Sequence, residues 1–337
     1  MAIRNHGYHE EQEPAGDVPP AGSVVFLEPN WLRLHRGNAS LPLVISPLDG
    51  LPSTVDIDLS GITPDRLSGL ENAAIRRLPI GVDGVVRPLA EVFTLAGSID
   101  TDRIIECRGD FSRVHGIARG MGAGRIDVSG AVGDHAAVGM TGGELVVAGA
   151  AGDGLAAGMA GGVVHVGGDV GDDAGAALPG SQVGMTGGLV MIEGTAGRLA
   201  GARMRRGIVA IGGDCGPAAG FEMRAGTVIV VGTLGRHAGL GMRRGSIIAA
   251  GPAPRPPATF RVGETWTPPF LALLARRLAA AGFSRPLRAS HRPPLTPQSR
   301  PSPPLPSAPW AAGCFQQWHG DMVTGGRGEL FLRPPSA

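Results

Sequence analysis

Nineteen residues separate Asp134 from Asp153 and Asp153 from Asp172, and nineteen separate Arg205 from Arg224 and Arg224 from Arg243. Beside the second set lie Arg203, Arg206 and Arg244. Like charges recurring at a fixed interval admit two readings. One is a solvated face. The other is a docking surface for an acidic partner or a polyanionic substrate tail, because aligned charges steer association. The remaining chemistry-bearing residues do not converge. His135 and His237 share a position within the period but lie five periods apart, roughly 24 Å at sheet spacing, too far for one metal. His165 points outward from its expected strand, and His115 falls in an irregular stretch. The steps Gly133-Asp134, Gly152-Asp153 and Gly171-Asp172 lack the GGxGxD nonapeptide of calcium β-rolls. Neither GxGxxG nor GxxxxGK(S/T) occurs, and all 30 basic residues are arginine, so no P-loop lysine exists. The sequence therefore assigns no catalytic, cofactor-binding or metal-binding residue; its site candidates are Arg203, Arg205, Arg206, Arg224, Arg243 and Arg244.

The elements that hold these charges follow from the same interval. Arg125–Gly143 and Glu144–Gly162 are successive copies of one unit, Val163–Gly188 is the unit with an insertion around Gly175–Val183, and Leu189–Gly207, Ile208–Gly226 and Thr227–Gly245 follow. Ile104–Gly124 is a looser copy before them, and Ser246–Gly251 begins another after them. A period of this size means stacked repeats. The second position (Ile126, Leu145, Val164, Val190, Val209, Val228) and the fourth (Val128, Val147, Val166, Ile192, Ile211, Val230) are apolar throughout, while the third (Asp127, Val146, His165, Met191, Ala210, Ile229) is unconstrained. In–out–in is the period of a strand. Glycine fills the sixth and ninth positions, from Gly130 and Gly133 to Gly232 and Gly235, where the backbone turns or rungs approach closely. Methionine at the sixteenth position (Met140, Met159, Met185, Met204, Met223, Met242, with Met121 equivalent) reads as an interior ladder. The expected fold is mainly β: a right-handed parallel β-helix solenoid of about seven coils, with a small α/β N-terminal domain and a C-terminal capping helix.

Composition sets the flanks. The chain has 337 residues and a formal net charge of +1, which leaves nucleic acid without a basic footprint to bind. Residues 1–20 are polar, acidic and without an apolar core, so a disordered tail is expected and no signal peptide. No apolar stretch is long enough to span a membrane. Cys107, Cys215 and Cys314 form no CxxC pair, which suits a reducing, cytoplasmic setting. Residues 21–100 form the lead-in domain, with a strand over Ser53–Leu59 and a helix starting at Thr63-Pro64, from which Leu67, Leu70 and Ala74 face inward. The repeats occupy 101–252. A capping segment, 253–285, carries an amphipathic helix over Phe270–Ala281 that covers the open end. A proline-rich linker, 286–312, precedes a closing segment, 313–337.

The glycine corners and the Gly-Met-x-x-Gly close (Gly139-Met140-Thr141-Gly142-Gly143, Gly184-Met185-Thr186-Gly187-Gly188) resemble the GXGXG domain, which occurs in glutamate synthase large subunits and in the C subunit of formylmethanofuran dehydrogenase. Two flanks resemble the C subunit in particular. One is Val55-Asp56-Ile57-Asp58-Leu59-Ser60-Gly61-Ile62-Thr63-Pro64-Asp65-Arg66-Leu67. The other is Trp318-His319-Gly320-Asp321 with Gly326-Arg327-Gly328-Glu329-Leu330, similar to a closing Tyr-x-Gly-Asp and Gly-Lys-Gly-Glu with the aromatic and basic residues substituted. The resemblance implies a β-helix assembly subunit without a catalytic centre. In methanogens such a complex reduces carbon dioxide onto methanofuran. In aerobic methylotrophs a four-subunit complex moves formyl from tetrahydromethanopterin to a methanofuran-type carrier and hydrolyses it to formate. It further implies amidohydrolase-like, formyltransferase-like and B subunits as partners, with the carrier and a metal held by those partners and no cofactor on this chain. The carrier's glutamate tail would be a ligand for the arginines. Two other readings stand beside it: a glutamate-synthase-like spacer, which expects amidotransferase and flavin domains nearby, and a structural or adhesive β-helix, which expects secretion.

Overall fold

The computed structural model describes residues 42–48, 50–51, 54–99, 103–283 and 309–334; the expected tail over 1–20 and residues 286–308 of the expected linker lie outside them. The chain opens with β1 (Leu43–Pro47), β2 (Ile57–Asp58), α1 (Pro64–Leu67), α2 (Asn72–Arg76), β3 (Pro79–Val82), β4 (Val85–Pro88) and β5 (Phe93–Ala96). β6 (Ile104–Cys107) and β7 (Val114–His115) belong to the loose first repeat. β8 (Arg125–Val128), β9 (Glu144–Val147), β10 (Val163–Val166), β11 (Leu189–Ile192), β12 (Ile208–Ile211), β13 (Thr227–Val230) and β14 (Arg244–Ala249) then come one per repeat. β15 (Arg261–Trp266), α3 (Pro269–Ala281), β16 (Phe315–Gly320) and β17 (Arg327–Leu332) complete it.

The result is a mainly β molecule built on one 13-stranded, parallel-rich sheet, with a second sheet of 4 strands in the order β4-β3-β2-β7. Among the described residues no helix is long and apolar enough to cross a membrane. From β6 to β14 every neighbour is parallel and paired position for position: Ile126 lies opposite Leu145, Leu145 opposite Val164, and Val164 opposite Val190 across the insertion. The second and fourth positions are buried throughout, and so are Met121, Met140, Met159, Met185, Met204, Met223 and Met242. A second parallel ladder, which the sequence pattern alone did not single out, runs Phe111–Val132–Ala151–Val170–Ala196–Cys215–Leu234. At the methionine corner the Arg224 amide donates to the Met204 carbonyl and the Arg243 amide to the Met223 carbonyl, so the stacking continues there. Close approach explains the sixth-position glycines. A Cβ on Gly149 would stand 2.7 Å from the Ala131 nitrogen of the preceding repeat. The left-handed conformation falls instead at the last position, as at Gly226, where φ is +109°.

Three expectations are corrected. The third position is not uniformly outward to solvent: Met191, Ala210, Ile229 and Ile248 are fully buried and His165 is 5% exposed. The capping helix does not cover the open end. Leu271, Ala275 and Leu278 of α3 pack in one cluster with Leu189, Met191, Ile208, Ala210, Ile229 and Ile248, on the outer face of the sheet. The physical cause is that these later strands are apolar on both faces, and a helix with an i, i+4, i+7 stripe buries the second one. The end of the stack is closed by β17, parallel to β14, followed by antiparallel β16 and β15. Finally, Leu67 is buried, but Leu70 and Ala74 are exposed. The helix begun at Thr63 stops after Leu67, Gly69 follows in the left-handed region at φ +84°, and the restarted helix α2 buries Ile75 instead. The other end is covered by β1, parallel to β6, and β5.

Met204 is fully buried in the interior column. Met204→Ala is therefore expected to lower unfolding stability by roughly 2–5 kcal/mol, measured by denaturant titration.

Candidate functional site

The aspartate column is a hydrogen-bond ladder. Oδ1 of Asp134 accepts from the Asp153 amide at 2.8 Å, Oδ1 of Asp153 from the Asp172 amide at 2.7 Å, and Oδ1 of Asp172 from the Arg198 amide at 2.9 Å. Its upper end is His115, whose Nδ1 accepts from the Asp134 amide at 2.9 Å. Asp169 and Asp214 do the same for the amides of Thr195 and Thr233. Each carboxylate thus satisfies a corner amide of the next repeat. At the lower end the Arg198 Nε donates to Oδ2 of Asp172 at 2.7 Å, and that guanidinium holds the Asp172 carboxyl below its ordinary value of 3.8. Neighbouring Asp173 moves the opposite way, raised by burial and then by Asp172. The sequence showed these residues as an acidic edge; their first task is to bind the next repeat.

The arginines divide. Nε of Arg203 donates to Glu222 at 2.9 Å and its Nη1 to the Ser181 carbonyl at 3.2 Å, which ties the insertion to two repeats and takes Arg203 out of the free charges. Arg205, Arg224 and Arg243 occupy one column, held in step by their backbone bonds to Met185, Met204 and Met223. Arg206 and Arg244 stand beside them. Among the described residues none of Arg205, Arg206, Arg224, Arg243 and Arg244 is in an ion pair. Exposed Arg327 extends the stripe, because β17 places it opposite Arg244 and Gly328 opposite Gly245. The Arg-Gly pair that opens β17, matching Arg206-Gly207 and Arg244-Gly245, is the sequence signal that identifies it.

The histidines do not assemble. His135 and His237 share a column because both hold a left-handed corner, at φ 61° and 62°, a conformation His tolerates better than most side chains. His165 lies on the outer sheet face but is buried, with Nε2 2.9 Å from Oε1 of Glu193. Burial pushes the thiols of Cys107 and Cys215 up to about 12, so they are inert near neutral pH. Among the described residues no group of three or more His, Cys, Asp or Glu could hold a metal.

No protein-family model matches the chain. Over 79 residues it is 37% identical to the C subunit of the molybdenum-containing formylmethanofuran dehydrogenase 1 of Methanothermobacter thermautotrophicus, and over 112 residues 35% identical to that of Methanosarcina barkeri. The matched stretches span 20% and 36% of the length of those relatives, and 23% and 32% of this chain. A chain in the crystal structure of the formyltransferase/hydrolase complex FhcABCD from Methylorubrum extorquens, solved with methylofuran, superposes with a TM-score of 0.70 at 32% identity, over 87% of this chain and 100% of that one. The chain belongs to the C-subunit family of formylmethanofuran dehydrogenase. In this member of the C-subunit family the closing segment is stitched to the last repeat through Asp321. Its carboxylate is 3% exposed and accepts from the amides of Gly241 at 3.1 Å and Val323 at 3.0 Å, while Thr324 Oγ1 donates to the Met242 carbonyl at 2.6 Å.

A carboxyl depressed in the folded state stabilises above its unfolded value, and that stability is lost as pH falls through the folded value. Asp172→Asn is therefore expected to lower the thermal midpoint at neutral pH and to shrink its fall below about pH 4, as read by calorimetry across pH 2–7.

Proposed function

We propose that this chain is a non-catalytic assembly subunit of a formylmethanofuran dehydrogenase-like formyltransferase/hydrolase complex in one-carbon metabolism, working in the cytoplasm. In this reading residues 101–252 wind as a right-handed β-helix of the GXGXG type, of about seven coils, behind the lead-in region 21–100. The reaction it serves passes formyl from tetrahydromethanopterin to a methanofuran-type carrier and releases formate. Amidohydrolase-like, formyltransferase-like and B subunits hold the carrier and the metal. The observation that carries the reading is the match over the full length of a chain from a formyltransferase/hydrolase complex. The interior supports it: the second and fourth columns and the methionines fill the space between rungs, so the surfaces are left to act.

The stripe Arg205, Arg206, Arg224, Arg243, Arg244 and Arg327 is then a docking surface for an acidic subunit face or for the carrier's carboxylate tail. Fixed charges on a rigid frame raise encounter rates and fix register. Purification of the tagged chain from its host is expected to bring down an amidohydrolase-like and a formyltransferase-like subunit. A homogeneous monomer would overturn the reading. Arg205→Glu/Arg243→Glu is expected to slow association with the partners on the order of tenfold at low salt, with the difference shrinking at high salt, measured by surface plasmon resonance. Unchanged binding would remove the stripe from the interface.

A further inference from the structure

A second charged feature lies at the opposite end of the repeats, where the lead-in meets the first rungs. An open cleft of about 360 Å³ is lined by Ser60, Gly61, Arg66, Arg119, Gly120, Val138 and Gly139. Its two walls come from different parts of the chain. Ser60 and Gly61 precede α1, which carries Arg66, while Arg119-Gly120 and Val138-Gly139 are equivalent corners of successive repeats, bonded through the Gly120 amide and the Val138 carbonyl at 2.8 Å.

We infer that this cleft binds a small oxyanion, the carboxylate or phosphate group of a low-molecular-weight ligand, between the guanidinium groups of Arg66 and Arg119. Neither arginine is in an ion pair among the described residues, although carboxylates lie close by in sequence. One oxygen of each nearby carboxylate is held by a backbone amide, while Oδ1 of Asp65 is buried without a hydrogen-bond partner among the described residues. Asp58 accepts from the Ser60 amide at 2.8 Å and Asp65 from the Gly122 amide at 3.1 Å. The walls are also bare. Gly61, Gly120 and Gly139 all take the left-handed conformation; a Cβ on Gly61 would meet the Arg66 guanidinium at 3.1 Å, and one on Gly120 or Gly139 would meet nothing within 4 Å among the described residues. A planar guanidinium with a fixed fork of donors matches carboxylate and phosphate oxygens, and two such forks on one small anion add charge assistance to both. The site is independent of the docking stripe: it shares no residue with it and lies on the early repeats.

Isothermal titration of the full chain with inorganic phosphate and, separately, with succinate tests the assignment. Saturable 1:1 binding of at least one anion is expected, weakened about tenfold or more in Arg66→Gln/Arg119→Gln and unchanged in Arg276→Gln/Arg277→Gln on α3, which lies outside both the cleft and the docking stripe. Saturation by phosphate alone assigns a phosphate ligand, by succinate alone a carboxylate, and by both an oxyanion site of broad choice. All four substituted side chains are exposed, and a circular dichroism melt confirms that both variants fold. Absence of saturable binding by either anion overturns the inference. So does equal binding by the wild-type chain and Arg66→Gln/Arg119→Gln, or an equal loss in both double variants, which would mean diffuse attraction to arginine.

Discussion

The distance between one repeat and the next is set by the backbone, and every other feature of the molecule accommodates it. Rungs are joined at the strand, at the Phe111–Leu234 ladder and again at the methionine corner. Hydrogen bonds on several sides of a repeat leave no slack for a side chain between rungs, which is why a Cβ at Gly149 or Gly168 would fall within 2.8 Å of the preceding backbone. The same constraint selects methionine for the interior corner. An unbranched thioether can bend into whatever gap remains once the backbone spacing is fixed. It also explains the aspartates, which reach one rung onward to an amide that the corner geometry would otherwise leave without an acceptor.

Features that depend on this spacing were legible in the sequence, and features that depend on distant cover were not. Ile126 and Val128 declare a buried face by alternating with Arg125 and Asp127, and the structure buries them. Leu189-Val190-Met191-Ile192 and Ile208-Val209-Ala210-Ile211 carry the opposite signal, an unbroken apolar run, which denotes a strand buried on both faces. Strand period alone reads Met191 and Ala210 as outward, and they are; whether outward means wet depends on α3, which lies far beyond them in the chain. The amphipathy of α3 could be read locally, but its resting place could not. At Thr63 the failure was shorter in range: a sound helix start was followed by Gly69, and the helical spacing projected onto Leu70 and Ala74 no longer applied.

Charge was the least transparent quantity. A column of aspartates and a column of arginines look alike in sequence, as like charges repeated at one interval. The structure separates them by what each oxygen or nitrogen meets. The aspartates spend a carboxylate oxygen on a backbone amide, and Arg198 closes their ladder with an ion pair. Arg203 is similarly spent on Glu222 and the insertion. Histidine columns were ambiguous for a different reason, since His135 and His237 answer to a backbone conformation and not to a ligand.

The arginines that remain carry the functional argument. Arg205, Arg224 and Arg243 repeat at the rung spacing, about 4.8 Å, and their backbones cannot spread apart because each is bonded to the methionine rung behind it. Two unit charges that close repel by roughly 1 kcal/mol even in water, and like charges directly opposite one another on a sheet are destabilising. No described carboxylate forms an ion pair with these arginines, whereas the equivalent positions of earlier repeats hold the uncharged Thr141, Ala160 and Thr186. The frame therefore tolerates an unfavourable stack where uncharged side chains would fit equally well. In the proposed docking role, a counter-charge arriving from outside would convert that repulsion into attraction at several rungs together, with the backbones of Arg205, Arg224 and Arg243 kept in step by their bonds to the methionine corner.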